Sequence, residues 1–567
     1  MLAKASPPKA KSQPWLPSLE WLKRYDRQNL GSDLMAGLIV AVMLVPQAMA
    51  YAMLAGLPPV IGLYASTLPL IVYALFGSSR QLAVGPVAIV SLLTLSGVST
   101  LAEPGSASFI AYAALLALMV GLMQFVLGMI KAGFITNFLS HAVISGFTSA
   151  AALIIGISQL KHLLGIRLES GENVFSVLLA TARQLGETNP ITLIIGIISI
   201  AILVFFKRIK SRFPAPLLVV ILSSLAVYLF KLNEQGVGIV GTVPSGFPAF
   251  NLPSFSFAGI EALLPIALTI SFVSFMESFA VARSIASKEK YKVEANKELV
   301  GLGLANVAGS LFSAYPVTGG FSRSAVNYQA GAKTPLASIV TAILVTLTLL
   351  FFTPLFYYLP KAVLAAIIMV AVYGLIDVEE PRHLFSIKPI DGWTLILTFA
   401  ATLILGIDTG ILVGAAFSLL VFIWRSAYPH TAELGYLEGE KVFRNLRRYP
   451  EAKRYSNALI ARIDASLYFA NMAFLETRLT NALADRENLK YIILDFSAVN
   501  DMDAVALETL ENRMDELAKL GIETHLVNVK GPVRDLLLRA RWFEKYGDKI
   551  RHLSLEHALK TCNLGGL

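Results

Sequence analysis

The sequence predicts a helical polytopic membrane protein of fourteen spans, arranged as two inverted seven-span repeats and followed by a soluble α/β domain. Three observations carry that prediction. The 567 residues are 55% hydrophobic and only 15% charged, with a mean hydropathy of +0.65, which is far too apolar for a water-soluble chain of ordinary composition. Apolar segments long enough to cross a bilayer recur as far as Trp424. Two short segments broken by Gly and Pro take the third place in each half, the hydropathy signature of paired repeats with a site between broken helices. An odd number of spans per repeat makes the repeats inverted.

Composition also narrows the function. The 47 Lys and Arg against 38 Asp and Glu give a net charge of +9. The bases cluster between apolar segments as topology signals, so no nucleic-acid partner is expected. The single cysteine, Cys562, excludes an internal disulfide framework, and the seven histidines lack metal-ligand spacing, so neither metal nor cofactor is expected. The first thirty residues are polar and contain Lys and Pro, so no cleavable signal peptide is expected.

The elements follow in order. Residues 1–33 form an N-terminal arm in which Trp15, Leu16, Trp21 and Leu22 mix with Lys23, Arg24 and Arg27, a composition suited to a membrane surface on the cytoplasmic side. The transmembrane domain covers 34–426, with repeats at about 34–232 and 263–426. Span 1, Leu34 to Leu54, carries Pro46-Gln47, where a missing backbone N–H is expected to break the helix. Gln47 and Tyr51 are four residues apart and share one helical face. They either line a cavity or mark a kink with Gln47 bonded to a neighbouring helix.

Span 2 runs from Pro59 to Phe76. Next comes Val84-Gly85-Pro86-Val87 and an apolar helix of about a dozen residues before Gly97, which at about 1.5 Å per residue reaches only part way across the hydrocarbon. Proline favours the first helical turn, so a helix starting near Pro86 leaves unpaired N–H groups at the midplane. Spans 4 to 7 are Phe109 to Ile130, His141 to Leu160, Pro190 to Phe206 and Ala215 to Leu232, with an interfacial amphipathic stretch at Val174 to Leu185. Arg80, Lys131 and the cluster Lys207, Arg208, Lys210 and Arg212 follow even-numbered spans, as the positive-inside bias requires with a cytoplasmic N-terminus.

The second repeat opens with Leu263 to Ala282, long enough to cross a bilayer yet carrying Glu277 near its middle. An acid at that depth costs a few kcal/mol. It therefore marks a cavity, a partner or a proton path, the alternative being a structural carboxylate bonded between helices. After Leu299 to Phe312 comes a second half-helix starting near Thr318-Gly319-Gly320. Pro335 to Tyr358, Lys361 to Ile376, Gly392 to Ile407 and Gly410 to Trp424 complete the set. Helix N-termini facing each other near Pro86 and Gly320 would make a site for a small anion from free N–H groups and helix dipoles. Ser322 and Ser324 offer hydroxyls. Arg323 either adds charge to that site or pairs with an acid. Glu277 then suits a proton carrier, because a protonated carboxyl moves through a dry state and a charged one does not.

The stretches Val45-Pro-Gln-Ala-Met-Ala-Tyr-Ala52, Gly56-Leu-Pro-Pro-Val-Ile-Gly-Leu-Tyr64, Gly77-Ser-Ser-Arg80 and Val84-Gly-Pro86 resemble the signature of the sulfate permease (SulP) family of anion transporters. The resemblance implies a core and a gate domain of the uracil permease type, a substrate between spans 3 and 10, and a homodimer. The candidate binding set is then Gln47, Tyr51, Pro86, Val87, Gly319, Gly320, Phe321, Ser322 and Arg323, with Glu277 as the proton-coupling residue. Sodium-coupled bicarbonate members are similar but carry Asp at the Glu277 position and a hydroxyl residue one turn later. Here that place holds Val281, which favours protons.

After the spans, 427–456 reads as a polar linker and 457–567 as an α/β domain. Strand-like runs such as Tyr491-Ile-Ile-Leu-Asp-Phe496 alternate there with helical patterns at Ala473 to Ala484, Ala504 to Leu520 and Val533 to Trp542. This part resembles the STAS domain shared with anti-sigma-factor antagonists. Those are phosphorylated at a hydroxyl residue just after the Asp matching Asp503, but Ala504 and Val505 follow here, so phosphoswitching is not expected. Regulation, dimer contacts or docking of a cytoplasmic partner remain. The whole chain is expected to be no enzyme, since the spans lack a nucleophile or metal constellation. It reads as a proton-coupled sulfate symporter of the cell (inner) membrane with both termini cytoplasmic. The alternatives are a bicarbonate or C4-dicarboxylate transporter, coupled to Na+ or H+, and an uncoupled channel or electromotile element.

Overall fold

Fourteen helical or part-helical spans are laid out in chain order in the computed structural model, which describes residues 21–23, 25–134, 140–166, 174–209, 214–253, 256–486 and 488–564. Trp15, Leu16 and Arg24 of the arm, and Lys210 and Arg212, lie outside the described residues. Among the described residues, eight helices are long and apolar enough to cross a membrane, and shorter apolar helices fill the remaining places. Span 1 is the helix Leu30–Leu54 and span 2 is Pro59–Phe76. Span 3 is the strand β1 (Val84–Gly85) leading into the half-helix Ala88–Val98. Spans 4 to 7 are Ala107–Met129, His141–Leu164, Pro190–Arg208 and Ala215–Phe230.

The second repeat repeats the scheme. Span 8 is Phe257–Lys288, span 9 is Ala295–Ser310, and span 10 is the strand β2 (Thr318–Gly319) followed by the half-helix Phe321–Gln329. Spans 11 to 14 are Leu336–Phe356, Lys361–Tyr373, Pro389–Leu405 and Ile407–Ala427. The short helices Val174–Arg183 and Glu380–Ile387 occupy matching places, after spans 5 and 12.

Packing carries the same symmetry. Span 1 packs on span 11 and span 8 on span 4; span 5 packs on span 13 and span 12 on span 6. Each contact maps onto the other when seven is added to or subtracted from the span number. Spans 4 and 9 approach closely through small residues, as helices do where lipid offers no hydrophobic drive. A Cβ on Gly121 would lie 2.6 Å from the Val307 nitrogen, and one on Gly303 2.6 Å from the Phe125 nitrogen.

Pro46 does not break span 1. It lies inside the continuous helix Leu30–Leu54, which buried neighbours on spans 2, 3 and 11 hold together. The Glu277 helix runs 32 residues, well beyond its apolar middle.

The chain divides into two compact units, Met1–Ser418 and Leu419–Leu567. The second holds a five-stranded sheet of order β4-β3-β5-β6-β7, formed by Thr431–Leu437 (β3), Val442–Asn445 (β4), Ala458–Ile463 (β5), Tyr491–Asp495 (β6) and Glu523–Val527 (β7). The three last strands are parallel and β3 pairs antiparallel with β5. Strands β3 and β4 thus arise within the stretch expected as linker. Only Ala432, Leu434 and Gly435 are buried along them, so polar residues conceal the alternation. Leu475, Leu479, Leu510 and Met514, from the helices Phe469–Ala484 and Ala504–Lys519, fill one core cluster, and Leu555, Ala558 and Leu559 pack with Ile460, Ile493 and Val527 in another. Asp503 caps the helix Ala504–Lys519 by accepting from Ala506 N–H at 2.7 Å, and also accepts from Phe469 N–H at 3.0 Å.

Candidate anion-binding site

The two half-helices meet because the strands before them pair. β1 and β2 run antiparallel, with Val84 opposite Gly319 and Gly85 opposite Thr318, and Gly320 N–H donates to Ala83 O at 3.1 Å. Neither helix has a side-chain cap: the N-cap residues are Val87 and Gly320, both extended. The first-turn N–H groups of each helix lack the partners a capping side chain would provide.

Arg323 leans back from the first turn of the span 10 half-helix across this junction and is 2% exposed. Its Nη1 donates to Pro86 O at 2.6 Å and to Gln47 Oε1 at 3.2 Å. Gln47 Nε2 in turn donates to Tyr51 OH at 3.1 Å, so the two residues on one face of span 1 form one chain with Arg323. Gly85 has φ +149°, a conformation that favours glycine. A Cβ there would come within 3.3 Å of Arg323 Nη2. The Nε and Nη2 of Arg323 are buried and have no hydrogen-bond partner, and the same is true of Glu277 Oε2. No ion pair joins the two within 4.0 Å among the described residues. Their charges nevertheless act on each other and on Tyr51.

The structure thus gathers Gln47, Tyr51, Pro86, Gly320, Arg323 and Glu277 into one cluster. Val87 is the buried N-cap of the span 3 half-helix, and Gly319 sits in β2. Phe321 and Ser322 open the span 10 half-helix with exposed side chains, Phe321 at 59%. Ser324 does not offer a free hydroxyl. It donates to Gly320 O at 2.7 Å and accepts from Ala83 N–H at 2.9 Å, so it ties the two strands together.

Sequence reasoning missed the buried polar scaffold behind the site. Ser278 Oγ accepts from Gly319 N–H at 2.7 Å and shares a 2.6 Å hydrogen bond with Thr318 Oγ1, so the residue after Glu277 holds β2. Asn306 Oδ1 accepts from Val317 N–H at 2.7 Å, and its Nδ2 donates to Val317 O and to Gln124 Oε1. Gln124 Nε2 donates to Ser274 Oγ at 2.7 Å. Tyr315 OH and Ser91 Oγ lie 3.0 Å apart, a further bridge, from the span 3 half-helix to the segment before β2. The available signal was the presence of Gln124 and Asn306 in otherwise apolar spans, where polar side chains are retained for specific bonds.

Known proteins share this architecture. The sulfate permease family pattern matches residues 30–398, and the STAS domain pattern matches 449–554. Sulfate transporter 4.1, chloroplastic, of Arabidopsis thaliana is 39% identical over 565 residues, covering 96% of this chain and 82% of that protein. High affinity sulfate transporter 2 of Stylosanthes hamata is 34% identical over 567 residues, covering 96% and 86%. The murine Solute Carrier 26 family member A9 anion transporter, solved in the inward-facing state, superposes with a TM-score of 0.91 at 26% identity, covering 99% of this chain and 97% of that one. These relatives are transporters and not enzymes. The chain belongs to the sulfate permease family and carries a STAS domain at its C-terminal end.

Proposed function

We propose that the protein is a secondary active, proton-coupled sulfate symporter that holds the anion between the half-helix N-termini of spans 3 and 10. One observation carries the reading: Arg323 spends Nη1 on Pro86 O and Gln47 and leaves Nε and Nη2 bare in a buried place. Unpaired buried donors cost free energy, and an anion arriving there would satisfy them together with the uncapped first-turn N–H groups. Gln47, Tyr51, Pro86, Val87, Gly319, Gly320, Phe321, Ser322 and Arg323 form the proposed site, with Gln47 and Tyr51 orienting Arg323.

Glu277 carries the proton. Its bare Oε2 stands within electrostatic reach of Arg323, so its charge and the anion's compete for the same guanidinium. Protonating Glu277 frees Arg323 for the anion and lets the pair cross in a less charged form. Val281, one turn on, is buried and its side chain has no oxygen for a sodium ion. Sulfate is favoured by the names of the relatives. The reading includes a homodimer in the cell (inner) membrane, cytoplasmic termini, and regulation or partner docking by residues 457–567.

Uptake of labelled sulfate into proteoliposomes tests it. Wild-type protein should show saturable, acid-driven uptake with counterflow, competed by sulfate more strongly than by bicarbonate, succinate or chloride. Glu277→Gln should remove the pH dependence while sulfate binding persists. Acid-driven uptake that survives this change would end the coupling role, and flux without counterflow would make the protein a channel.

A further inference from the structure

At the membrane face opposite the start of span 1, the loops that follow spans 1, 3 and 7 meet the start of span 12. They border an open pocket of about 290 Å3 walled by Met53, by Gly56 to Pro59, by Pro104 and Gly105, by Val240 and by Lys361. Lys361 is its one charged lining group among the described residues. The ammonium is badly placed for stability, because Lys361 opens the helix Lys361–Tyr373 and a cation in the first turn sits at the wrong end of the helix dipole.

Two more bases stand nearby. Lys161 and His162 lie on the short helix Leu160–Leu164, which packs against Lys361–Tyr373, and the charges of Lys161 and Lys361 both act on His162. None of the three has a carboxylate partner among the described residues. Glu103, the residue before Pro104, is exposed and forms no ion pair with Lys361. The group also runs against the topology bias, which gathers Arg80, Lys131, Lys207 and Arg208 on the other face. Neither helix stability, nor ion pairing, nor membrane orientation accounts for the two lysines there.

We propose that this pocket is a collecting site for a small hydrated oxyanion on its way to Arg323, with Lys361 as its anchor; this rests on the carrier reading above. A water occupies about 30 Å3, so the space admits an oxyanion with part of its hydration shell. The wall is otherwise apolar and glycine- or proline-built, which makes a loose site. Such a site raises the local anion concentration without trapping the ion.

Sulfate entering from this face and leaving toward it is measured in vesicles of known sidedness for wild type, Lys361→Gln and Lys361→Arg. Lys361→Gln should raise the half-saturation concentration from this face about 3- to 10-fold at low ionic strength. The maximal rate and the half-saturation from the opposite face should hold, and Lys361→Arg should restore the wild-type value. Added salt should weaken wild type toward the Gln variant, since the screening length is about 10 Å at 0.1 M. Separately, sulfate on this face should slow modification of Lys361 by a membrane-impermeant amine reagent, read by mass spectrometry, whether or not the protein transports. Identical half-saturation in wild type and Lys361→Gln, an equal change from both faces, or no protection by sulfate each overturns the proposal. A wild-type protein that protects Lys361 but moves no sulfate overturns the carrier reading and keeps the site.

Discussion

Two carboxylates within the transport unit, Glu298 on span 9 and Glu277 on span 8, are held in opposite ways. Glu298 accepts from the Tyr73 hydroxyl at 2.6 Å, from the Ser78 N–H and hydroxyl at 2.7 Å each, and from the Ser79 N–H at 3.0 Å. Asp33 is treated alike at the start of span 1, accepting from Lys333 N–H, Thr334 N–H, Thr334 Oγ1 and Tyr25 OH. Glu277 keeps Oε2 bare, opposite an arginine with two bare nitrogens. A buried charge surrounded by donors is a joint of the fold. Under the proposed function, one left bare beside an unfilled counter-charge is tolerated for what arrives there. Buried acids in this membrane protein therefore divide by hydrogen-bond saturation.

The sharpest way to break that division is to remove one member of each kind. Glu298→Ala leaves four donors without an acceptor, at about 1–3 kcal/mol for each that stays buried, and should abolish the monodisperse peak in detergent size exclusion. Arg323→Ala should keep that peak while slowing sulfate uptake about 100-fold or more, since two charge-assisted bonds to the anion disappear. Equal loss of folded protein in both variants would erase the contrast.

A smaller effect is expected at the scaffold between them. Ser278→Ala removes the acceptor of Gly319 N–H and loosens β2 without touching the proposed anion. The half-saturation concentration for sulfate should rise about 5-fold, the equivalent of about 1 kcal/mol for one lost bond, with melting temperature nearly unchanged. A variant indistinguishable from wild type in uptake would show that β2 needs no help from span 8.

A separate, pH-dependent effect lies in the C-terminal unit. His525 Nδ1 and His552 Nε2 lie 2.9 Å apart. Burial first, then the neighbouring His525, pushes His552 down from 6.5 to about 4. The unfolded chain therefore binds the proton more readily than the folded one between these values. Stability should be complete above pH about 6.5 and fall as the pH drops toward about 4. Hydrogen exchange of this unit in the full chain should show that slope, and His552→Gln should flatten it.

Much of this arrangement was legible in the residues. The i, i+4 spacing of Gln47 and Tyr51 put them on one face, and they are bonded in the structure. Pro86 and Gly320 marked the half-helix starts to within about two residues, because proline and glycine act on their own backbone. Other features escaped for reasons equally physical. Pro46 weakens a helix locally, yet packing overrode it. Strands β3 and β4 were hidden because a sheet edge buries few side chains and so leaves little alternation to read.

By itself the sequence determined how many times the chain crosses the membrane, where the crossings are interrupted and which charges lie at depth. Those properties sum over neighbouring residues and follow from the free energy of moving each from water to oil. Only the tertiary structure decided which of those charges are saturated. The sequence puts Glu277 in the middle of an apolar span and Glu298 at the end of a charged stretch, and whether the oxygens of either find donors depends on Tyr73, Ser78 and Arg323, brought close by packing.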